Sequence, residues 1–319
     1  MTTPIQAVQG IRAGHISLRH IRVTWDACLI CVQPALLQRA ESSRPLPDRP
    51  QAEFSRPNRP GTFIACLLPN LPTPLLARGP LAFQGKFGMS KLHFIGGEKG
   101  GVGKSLVSRI LAQYLIDHET PFLGFDTDQS HGALMRFYRD YTAPAAIDRF
   151  DSLDAIVEAV IAEPERRVLV DLAAQTQPFL MRWMDDSDLL GLSAEMGIEL
   201  NYWHVMDAGQ DSVDLLGQLL DRFEGRLPLV LVLNEVRGDR FELLQASGLR
   251  NRAESQGAQV ISLRHLQDAA MQKIDGHSSS FWAAINNSDK SSNSLGILER
   301  QRVKSWLKRA YLELDRLPV

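Results

Sequence analysis

The amino-acid sequence predicts an α/β protein with a mainly parallel sheet covered by helices on both faces. From residue 89 onward, short apolar runs alternate with segments of helical periodicity, which is the pattern of a parallel sheet with crossover helices. The first run leads into a glycine-rich segment and then into a helical pattern, as at the start of a β-α-β unit. With 319 residues, of which 44% are hydrophobic, the chain can bury a large core.

The predicted elements follow this alternation in order. The first strand, residues 91–95, ends at two glycines, and apolar residues recurring between 106 and 115 predict the helix after it. Later apolar runs predict strands at residues 121–125, 167–170, 198–205, 227–233 and 259–263. The helical patterns between them predict helices at residues 152–162, 187–197, 211–223 and 241–257.

A final amphipathic helix is predicted after a polar loop at residues 286–294. Its apolar face consists of Ile297, Val303, Trp306, Leu307, Ala310, Tyr311, Leu314 and Leu317. Its opposite face carries Arg300, Arg302, Lys304, Lys308 and Arg309. Two interpretations are open: a helix that only packs on the sheet, or a basic surface for nucleic acid or an anionic membrane.

Residues 1–88 differ in composition from the rest of the chain. They hold ten Lys and Arg against four Asp and Glu, a net charge of +6, whereas residues 89–319 hold 25 against 33, a net charge of −8. They also contain 11 of the 17 prolines, and proline interrupts helices and strands. We therefore expect a disordered, basic extension, or upstream sequence that is not translated because synthesis starts at Met89. Residues 89–319 are predicted to form the folded domain.

The sequence argues against several locations and site types. The apolar runs at residues 27–32 and 63–68 are far shorter than the roughly 20 residues of a membrane span. No secretory signal begins at residue 1, so a cytoplasmic location is expected. Cys28 and Cys31 have the spacing of half a zinc or redox site, but no second pair accompanies them.

The chemical centre of the sequence is the segment EKGGVGKS at residues 98–105. Phosphate binding needs consecutive backbone N–H groups that point into one concavity, and Gly100, Gly101 and Gly103 permit that conformation. Lys104 is then placed to reach the β- and γ-phosphates, and the Ser105 hydroxyl to coordinate Mg²⁺. The helix that follows adds the positive end of its dipole. An ordinary glycine-rich turn would not explain two lysines at this spacing.

The string KGGVGKS resembles the deviant Walker A motif of the ParA/MinD family of P-loop ATPases. Glu98 replaces the leading glycine of the ordinary pattern, whereas the early Lys99 is the signature of that family. The resemblance implies a three-layer P-loop NTPase fold that uses ATP and Mg²⁺. It implies nucleotide-binding residues Gly100, Gly101, Val102, Gly103, Lys104 and Ser105. It also implies an ATP-dependent homodimer in which Lys99 reaches the partner's phosphates, so Lys99 and Lys104 are predicted to be catalytic.

Two carboxylate segments resemble further parts of the family's site. Asp126 and Asp128 follow a predicted strand, at the sheet edge where ligands of such folds bind. By resemblance Asp126 lies in the Mg²⁺ shell and Asp128 orients the attacking water, although both residues are also common turn formers. Asp171 ends the strand at residues 167–170, as in a Walker B motif, and is predicted to hold Mg²⁺ together with Asp126 and Ser105.

The sequence departs from the family immediately after Asp171. Residues 172–176 read LAAQT, where relatives usually have proline two positions on and often a glycine nearby, so nucleotide binding is expected while the hydrolysis rate is open. Asn234, at the end of a late strand, resembles the residue that contacts adenine in the family. A side-chain amide suits this role because it both donates and accepts hydrogen bonds. The alternative is that Asn234 is only a turn residue. Residues 260–264 resemble the last strand and the loop beside the base.

Composition and resemblance together leave three functional hypotheses. Residues 89–319 contain no cysteine, which argues against an iron–sulfur cluster held by thiolates. The first hypothesis is a ParA/MinD-like ATPase that dimerises with ATP and serves plasmid partition, positioning or mobilisation, with an activating protein and a DNA or membrane surface as partners. The second is a P-loop small-molecule synthase or ligase. The third is a nucleotide-dependent scaffold with little hydrolysis.

Overall fold

The computed structural model describes residues 90–128, 130, 132–287 and 294–319. These residues form one seven-stranded sheet, parallel throughout, with helices on both faces, the three-layer fold of P-loop NTPases. The strands are β1 (Ser90–Gly96), β2 (Phe122–Asp126), β3 (Thr142–Pro144), β4 (Arg167–Asp171), β5 (Ile198–Met206), β6 (Leu229–Asn234) and β7 (Gln259–Leu263). Their order is β3-β2-β4-β1-β5-β6-β7, so β1 lies at the centre of the sheet.

The helices of the described residues connect these strands. They are α1 (Lys104–Asp117), α2 (Ala133–Phe137), α3 (Phe150–Ala162), α4 (Gln177–Asp186), α5 (Leu189–Met196), α6 (Gln210–Phe223), α7 (Glu242–Ala246), α8 (Leu249–Ser255), α9 (Asp268–Gly276), α10 (Phe281–Asn286) and α11 (Ile297–Leu314). Two short 3₁₀ turns, Arg139–Tyr141 and Glu235–Arg237, follow α2 and β6.

Each face of the sheet has its own hydrophobic core, because successive strand residues point to opposite faces. On one face, Leu92 and Phe94 of β1 belong to a core that includes Ile156 of α3 and Leu216 of α6. On the other, Ile95 belongs to a core built with α1, α2 and α9 to α11. Strands buried on both faces are continuous apolar runs rather than alternating ones, which is why the sequence pattern revealed them.

The predicted fold class is confirmed, and so are most predicted elements. All six predicted strands are present, with their ends displaced by at most two residues. The helices predicted at residues 152–162, 187–197 and 211–223 are present with the same tolerance. The helix after the glycine-rich segment is α1.

Two parts of the predicted element order were wrong or incomplete. Residues 241–257 form α7 and α8 rather than one helix. Gly248 separates them with a φ of +71°, a left-handed conformation that ends a helix and that glycine adopts readily. Helices α2, α4, α9 and α10 were not predicted, and neither was β3, a three-residue strand at the edge of the sheet. Its last residue, Pro144, has no N–H to donate, which suits an edge position.

The last helix confirms the predicted amphipathic pattern with one exception. Val303, Trp306 and Leu307 are buried against the sheet. Ile297, assigned to the same face, is instead 85% exposed because it is the first residue of α11, outside the stretch that packs. Tyr311 and Leu317 are partly buried against the same core.

The basic face of α11 divides into two groups. Arg302, Lys304, Lys308 and Arg309 are exposed, as the predicted solvent face requires. Arg300 is partly buried and donates to the Leu295 carbonyl oxygen at 2.9 Å.

Some predictions lie outside the described residues. They are the state of residues 1–88, the start at Met89, the cysteine pair and residues 288–293 of the predicted polar loop. Among the residues that the structure does describe, none of the helices is both long and apolar enough to cross a membrane.

Candidate functional site

The segment between β1 and α1 forms a glycine-rich loop at the carboxyl end of the central strand. Gly101 and Gly103 have φ values of +74° and +97°, in the left-handed region that favours glycine. A Cβ on Gly103 would lie 2.2 Å from Nδ2 of Asn234, so the loop also needs glycine there for space. Val102 is completely buried.

The start of α1 is suited to an anion. Helix α1 begins at Lys104 with no acidic residue in its first turn and no side-chain cap. The first N–H groups of a helix have no partner within the helix, and together with the helix dipole they attract phosphate. The predicted phosphate-binding residues Gly100 to Ser105 are therefore continuous with an uncapped helix N-terminus.

Lys104 is the buried cation of this loop. Its side chain is only 7% exposed, and Nζ donates to the Lys99 carbonyl oxygen at 3.0 Å. Burial lowers the pKa of Lys104, while the carboxylates of Asp171, Glu98 and Asp128 act in the opposite direction. The charges of three carboxylates thus favour the protonated form of this buried ammonium group.

Asp126 and Asp171 end neighbouring strands and face each other in register. Asp171 is buried, and its Oδ1 has no hydrogen-bond partner among the described atoms. Burial, together with the charge of Asp126, raises the pKa of Asp171 to about 7, although the hydroxyls of Ser108 and Ser105 oppose the shift. Two carboxylates, of which Asp171 has an unpartnered oxygen, and the Ser105 hydroxyl match the hard oxygen ligands that Mg²⁺ prefers. The predicted metal residues are therefore brought together and fit this cation.

Asp126 and Asp128 also shape the turn after β2. Asp126 Oδ1 accepts from the Asp128 amide at 3.0 Å, and Oδ2 accepts from the Met135 amide at 3.0 Å. Asp128 Oδ1 accepts from the amide and hydroxyl of Ser130 at 3.0 Å and 2.9 Å. The turn-forming contacts considered in the sequence analysis are thus present, and the roles toward Mg²⁺ and water stay predictions.

Lys99 belongs to an ion-pair network that the sequence analysis missed. Its Nζ lies 3.3 Å from Asp207 Oδ1 and 3.4 Å from Asp211 Oδ2, and Arg237 Nη1 lies 3.2 Å from Asp207 Oδ2. Asp207 is completely buried and accepts from the Ser212 hydroxyl at 2.6 Å. Burial disfavours its charge, but the hydrogen bonds from Ser212 and a backbone amide and the charge of Lys99 hold the pKa of Asp207 below its usual value.

A sequence signal for Asp207 existed. It directly follows the apolar strand β5, as Asp171 ends β4, and the carboxyl ends of parallel strands meet at one edge. Gly209 completes the arrangement, because a Cβ there would lie 2.8 Å from Lys99 Nζ. Arg237 follows β6 in a short turn and had no comparable signal.

The segment after Asp171 is attached to the loop by Glu98. Its Oε1 accepts from the Gln177 amide at 2.5 Å, and its carbonyl oxygen accepts from the Gln175 amide at 3.3 Å. Gln175 has a φ of +62°, a conformation that glycine adopts more easily. Thr127 also fixes this segment. Its hydroxyl donates to the Asp171 carbonyl oxygen at 3.0 Å and accepts from the Ala173 amide. Glu98 and residues 172–176, the two places where the sequence departs from the family motif, are therefore in contact.

Asn234 lies beneath the loop at the end of β6. It is buried, and its Nδ2 donates to the Val102 carbonyl oxygen at 2.7 Å, so in this structure it supports the loop. Its predicted contact with adenine stays a prediction. After β6 and β7 there is a cleft of about 540 Å³. Its lining includes Glu235, Arg264, His265, Arg302, Trp306 and Arg309.

Comparisons with known proteins agree with this geometry. The model of the CobQ/CobB/MinD/ParA nucleotide binding domain matches residues 93–275. Protein TraL of Escherichia coli is 29% identical over 248 residues, which cover 71% of this chain and 98% of TraL. Protein MobD of Acidithiobacillus ferrooxidans is 27% identical over 187 residues, which cover 57% of this chain and 81% of MobD.

Solved structures also resemble the chain. The MinD cell division protein of Aquifex aeolicus matches with a TM-score of 0.43 and 12% identity, over 69% of this chain and 96% of MinD. A nucleotide-binding protein of Archaeoglobus fulgidus in complex with ADP matches with a TM-score of 0.39 and 15% identity, over 59% of this chain and 86% of that protein.

Proposed function

Because this chain belongs to the CobQ/CobB/MinD/ParA family of nucleotide-binding domains, we propose that it binds and hydrolyses ATP with Mg²⁺ as a nucleotide-dependent homodimer. The observation that carries this proposal is the buried Lys104 ammonium at an uncapped helix N-terminus, whose charge three carboxylates favour. A buried cation beside free backbone N–H groups is suited to the β- and γ-phosphates.

Asp126, Asp171 and Ser105 are the proposed magnesium residues. The unused Oδ1 of Asp171 and the pKa raised by burial indicate a carboxylate that gains from a neighbouring cation. When bound with ATP, Mg²⁺ neutralises charge on the β- and γ-phosphates. Asp128 is proposed to orient the attacking water, and its contacts with Ser130 hold its carboxylate in one position.

Lys99 is proposed to act across the dimer. In the structure it pairs with Asp207 and Asp211 of its own chain, so it must exchange these partners for the phosphates of the second subunit. Its 19% side-chain exposure leaves the ammonium accessible for such an exchange. A cation that arrives from the partner stabilises the charge that develops in phosphoryl transfer.

The two lysines provide the test of this proposal. Lys104→Ala should weaken ATP binding by roughly 100-fold, or about 2.8 kcal/mol, because it removes the buried charge that faces the phosphates. Lys99→Ala should leave binding to the monomer intact but abolish dimerisation and lower the hydrolysis rate by roughly 1,000-fold. Calorimetry, light scattering and phosphate release measure the three quantities.

An exposed lysine serves as the matched control. Lys304→Ala removes the same charge from an exposed residue of α11, outside the predicted phosphate-binding segment, and should change none of the three readouts. A Lys99→Ala protein that dimerises with a slowly hydrolysed analogue and turns over at the parental rate contradicts the trans-acting role and leaves an ordinary P-loop ATPase.

A nucleotide-dependent scaffold with little hydrolysis is the second candidate function. It is favoured by the contacts of Glu98 with residues 175 and 177, which fix the segment where relatives have proline and glycine. This candidate and the ATPase differ in one measurement: dimer formation with ATP but no phosphate release in the presence of Mg²⁺ supports the scaffold.

We further propose that the dimer serves plasmid partition, positioning or mobilisation in the cytoplasm with an activating protein. Membership of the family and the similarity to MobD and TraL support this role. Measuring ATPase activity alone, with DNA, with anionic vesicles and with a partner protein tests it. Stimulation by none of these would favour the scaffold or a P-loop synthase or ligase.

A further inference from the structure

Glu98 connects the phosphate-binding loop to helix α4 through both of its acceptor groups. Its carbonyl oxygen accepts from the Gln175 amide at 3.3 Å, and its carboxylate accepts from the Gln177 amide at 2.5 Å. The two partners are 77 and 79 residues away in sequence. The loop and the start of α4 are therefore held together by one side chain and its own backbone.

The carboxylate takes the place of a helix cap. Helix α4 begins at Gln177, and the preceding Thr176 makes no side-chain cap, since its hydroxyl donates to the Ala173 carbonyl at 2.8 Å instead. The Gln177 amide would otherwise be one of the unpaired donors at a helix start. A carboxylate at this end also interacts favourably with the helix dipole, so Glu98 stabilises the first turn of α4.

The same carboxylate lies in the electrostatic field of Lys104. Glu98 is one of the three acidic groups that stabilise the charged form of this lysine. The γ-phosphate of ATP is an anion that needs the same ammonium and the same kind of backbone N–H donors. Two anions beside one cation repel each other, and in a partly buried site water screens that repulsion poorly.

The segment that Glu98 holds contains one residue, Gln175, with a strained backbone conformation. Gln175 is held at a φ of +62°, which is uncommon for a residue with a side chain. Thr127, directly after β2, fixes the other end of the segment, since its hydroxyl donates to the Asp171 carbonyl oxygen and accepts from the Ala173 amide. Loss of the Glu98 contact allows Gln175 to relax while the Asp171 end stays in place.

We propose that Glu98 is a positioning residue that responds to the γ-phosphate of ATP. Without nucleotide or with ADP, its carboxylate holds the first turn of α4 to the loop. When ATP binds, the γ-phosphate displaces this carboxylate. This inference rests on the proposed nucleotide function. Displacement frees residues 174–179 while Leu172 and Leu180 stay in the core, and the freed part includes Phe179, whose large apolar side chain is 52% exposed. The surface beside the loop thereby changes with the nucleotide state.

The decisive variant is Glu98→Gln, which keeps an acceptor for the Gln177 amide but removes the negative charge. It should tighten binding of a slowly hydrolysed ATP analogue about tenfold while changing ADP affinity less than about twofold, because only the analogue brings the competing γ-phosphate. Calorimetry on the full chain with Mg²⁺ measures both affinities. Glu158→Gln, an exposed residue of α3, is the matched control and should change neither.

Hydrogen exchange over residues 174–179 provides a readout that affinity alone does not give. In the parent protein these amides should be protected without nucleotide and with ADP, and should exchange faster with the analogue. In Glu98→Ala the Gln177 amide should exchange fast in every state, because its carboxylate acceptor is gone. Thermal unfolding of each variant checks that the fold is intact.

Two results overturn the inference while leaving ATP binding in place. One is a Glu98→Gln protein whose affinities for ADP and the analogue change by the same factor, which indicates a merely structural role. The other is unchanged exchange of residues 174–179 when the analogue replaces ADP in the parent protein. If the parent protein binds neither nucleotide, the proposed function itself fails, and the role of Glu98 fails with it.

Discussion

At the scale of single residues, Asp171 makes the stability of the nucleotide-free protein depend on pH. Burial raises its pKa from an ordinary 3.8 to about 7. Between these two values the folded protein keeps a proton that the unfolded chain has lost. The contribution of Asp171 to the free energy of unfolding therefore falls as pH rises from about 4 to about 7 and stays low above that.

This shift predicts the behaviour of Asp171→Asn in the absence of Mg²⁺. The amide cannot ionise, so relative to the parent protein the variant should gain roughly 2–4 kcal/mol of stability between pH 4 and pH 8. Urea unfolding at several pH values, in the presence of a chelator, measures the difference between the two proteins. The variant should also lose Mg²⁺-dependent nucleotide binding.

The difference between variant and parent is the informative quantity, because other groups titrate in the same range. Burial lowers the pKa of His93 to about 3 and of His204 to about 4. These histidines stabilise the fold as pH rises toward 6.5, which is the opposite direction. Asp186→Asn, an exposed carboxylate of α4, is the control. A stability difference for Asp171→Asn that is constant between pH 4 and pH 8 contradicts the prediction.

At the scale of elements, α11 carries the predicted basic surface, but its residues are not equivalent. Arg302 and Arg309 line the cleft after β6 and β7 together with Arg264, the last residue of the segment predicted to lie beside the base, so changing them would also alter that cleft. Lys304 and Lys308 are exposed and do not line that cleft. They are the pair that separates surface binding from nucleotide binding.

The double variant Lys304→Ala/Lys308→Ala tests this surface. It should weaken nonspecific DNA or anionic-vesicle binding roughly tenfold and reduce the slope of binding against salt by about 2, because two phosphate contacts are lost. ATP affinity should not change. The exposed pair Arg139 and Arg149, changed to alanine, controls for net charge. Unchanged binding to both surfaces means that α11 serves packing alone.

At the scale of the whole molecule, the described sheet and both of its described cores consist of residues from 90 onward. β1 begins at Ser90 and already lies between β4 and β5. A chain that starts at Met89 should therefore unfold cooperatively, with a midpoint within about 2 °C of the full chain, which corresponds to less than about 1 kcal/mol. It should also bind ATP equally well. Calorimetry of both chains and the intact mass of the native protein test this prediction.

A noncooperative transition or weaker ATP binding by the shorter chain would contradict that domain boundary. It would mean that residues 1–88 contribute to the fold or to the site. The full chain under the same buffer conditions is the reference for both measurements.

The sequence by itself determined the parallel α/β fold and the position of the phosphate-binding loop. Both depend on local patterns. Strands buried on two faces are continuous apolar runs. The glycines of the loop that adopt positive φ lie within a few residues of Lys104 in the chain. Asp126 and Asp171 could be identified from the sequence for the same reason, since each ends a recognisable strand. The sequence pattern is sufficient to predict a site where the residues that form it are neighbours in the chain.

Only the tertiary structure decided which of these residues contact each other. Lys99 and Asp207 are 108 residues apart, and Glu98 and Gln177 are 79 apart, so no local spacing relates them. Parallel strands joined by crossover helices bring distant strand ends to one edge of the sheet. That geometry turned Glu98, which in the sequence is only a replaced glycine, into the acceptor that holds α4, and it placed Asn234 under the loop as a support.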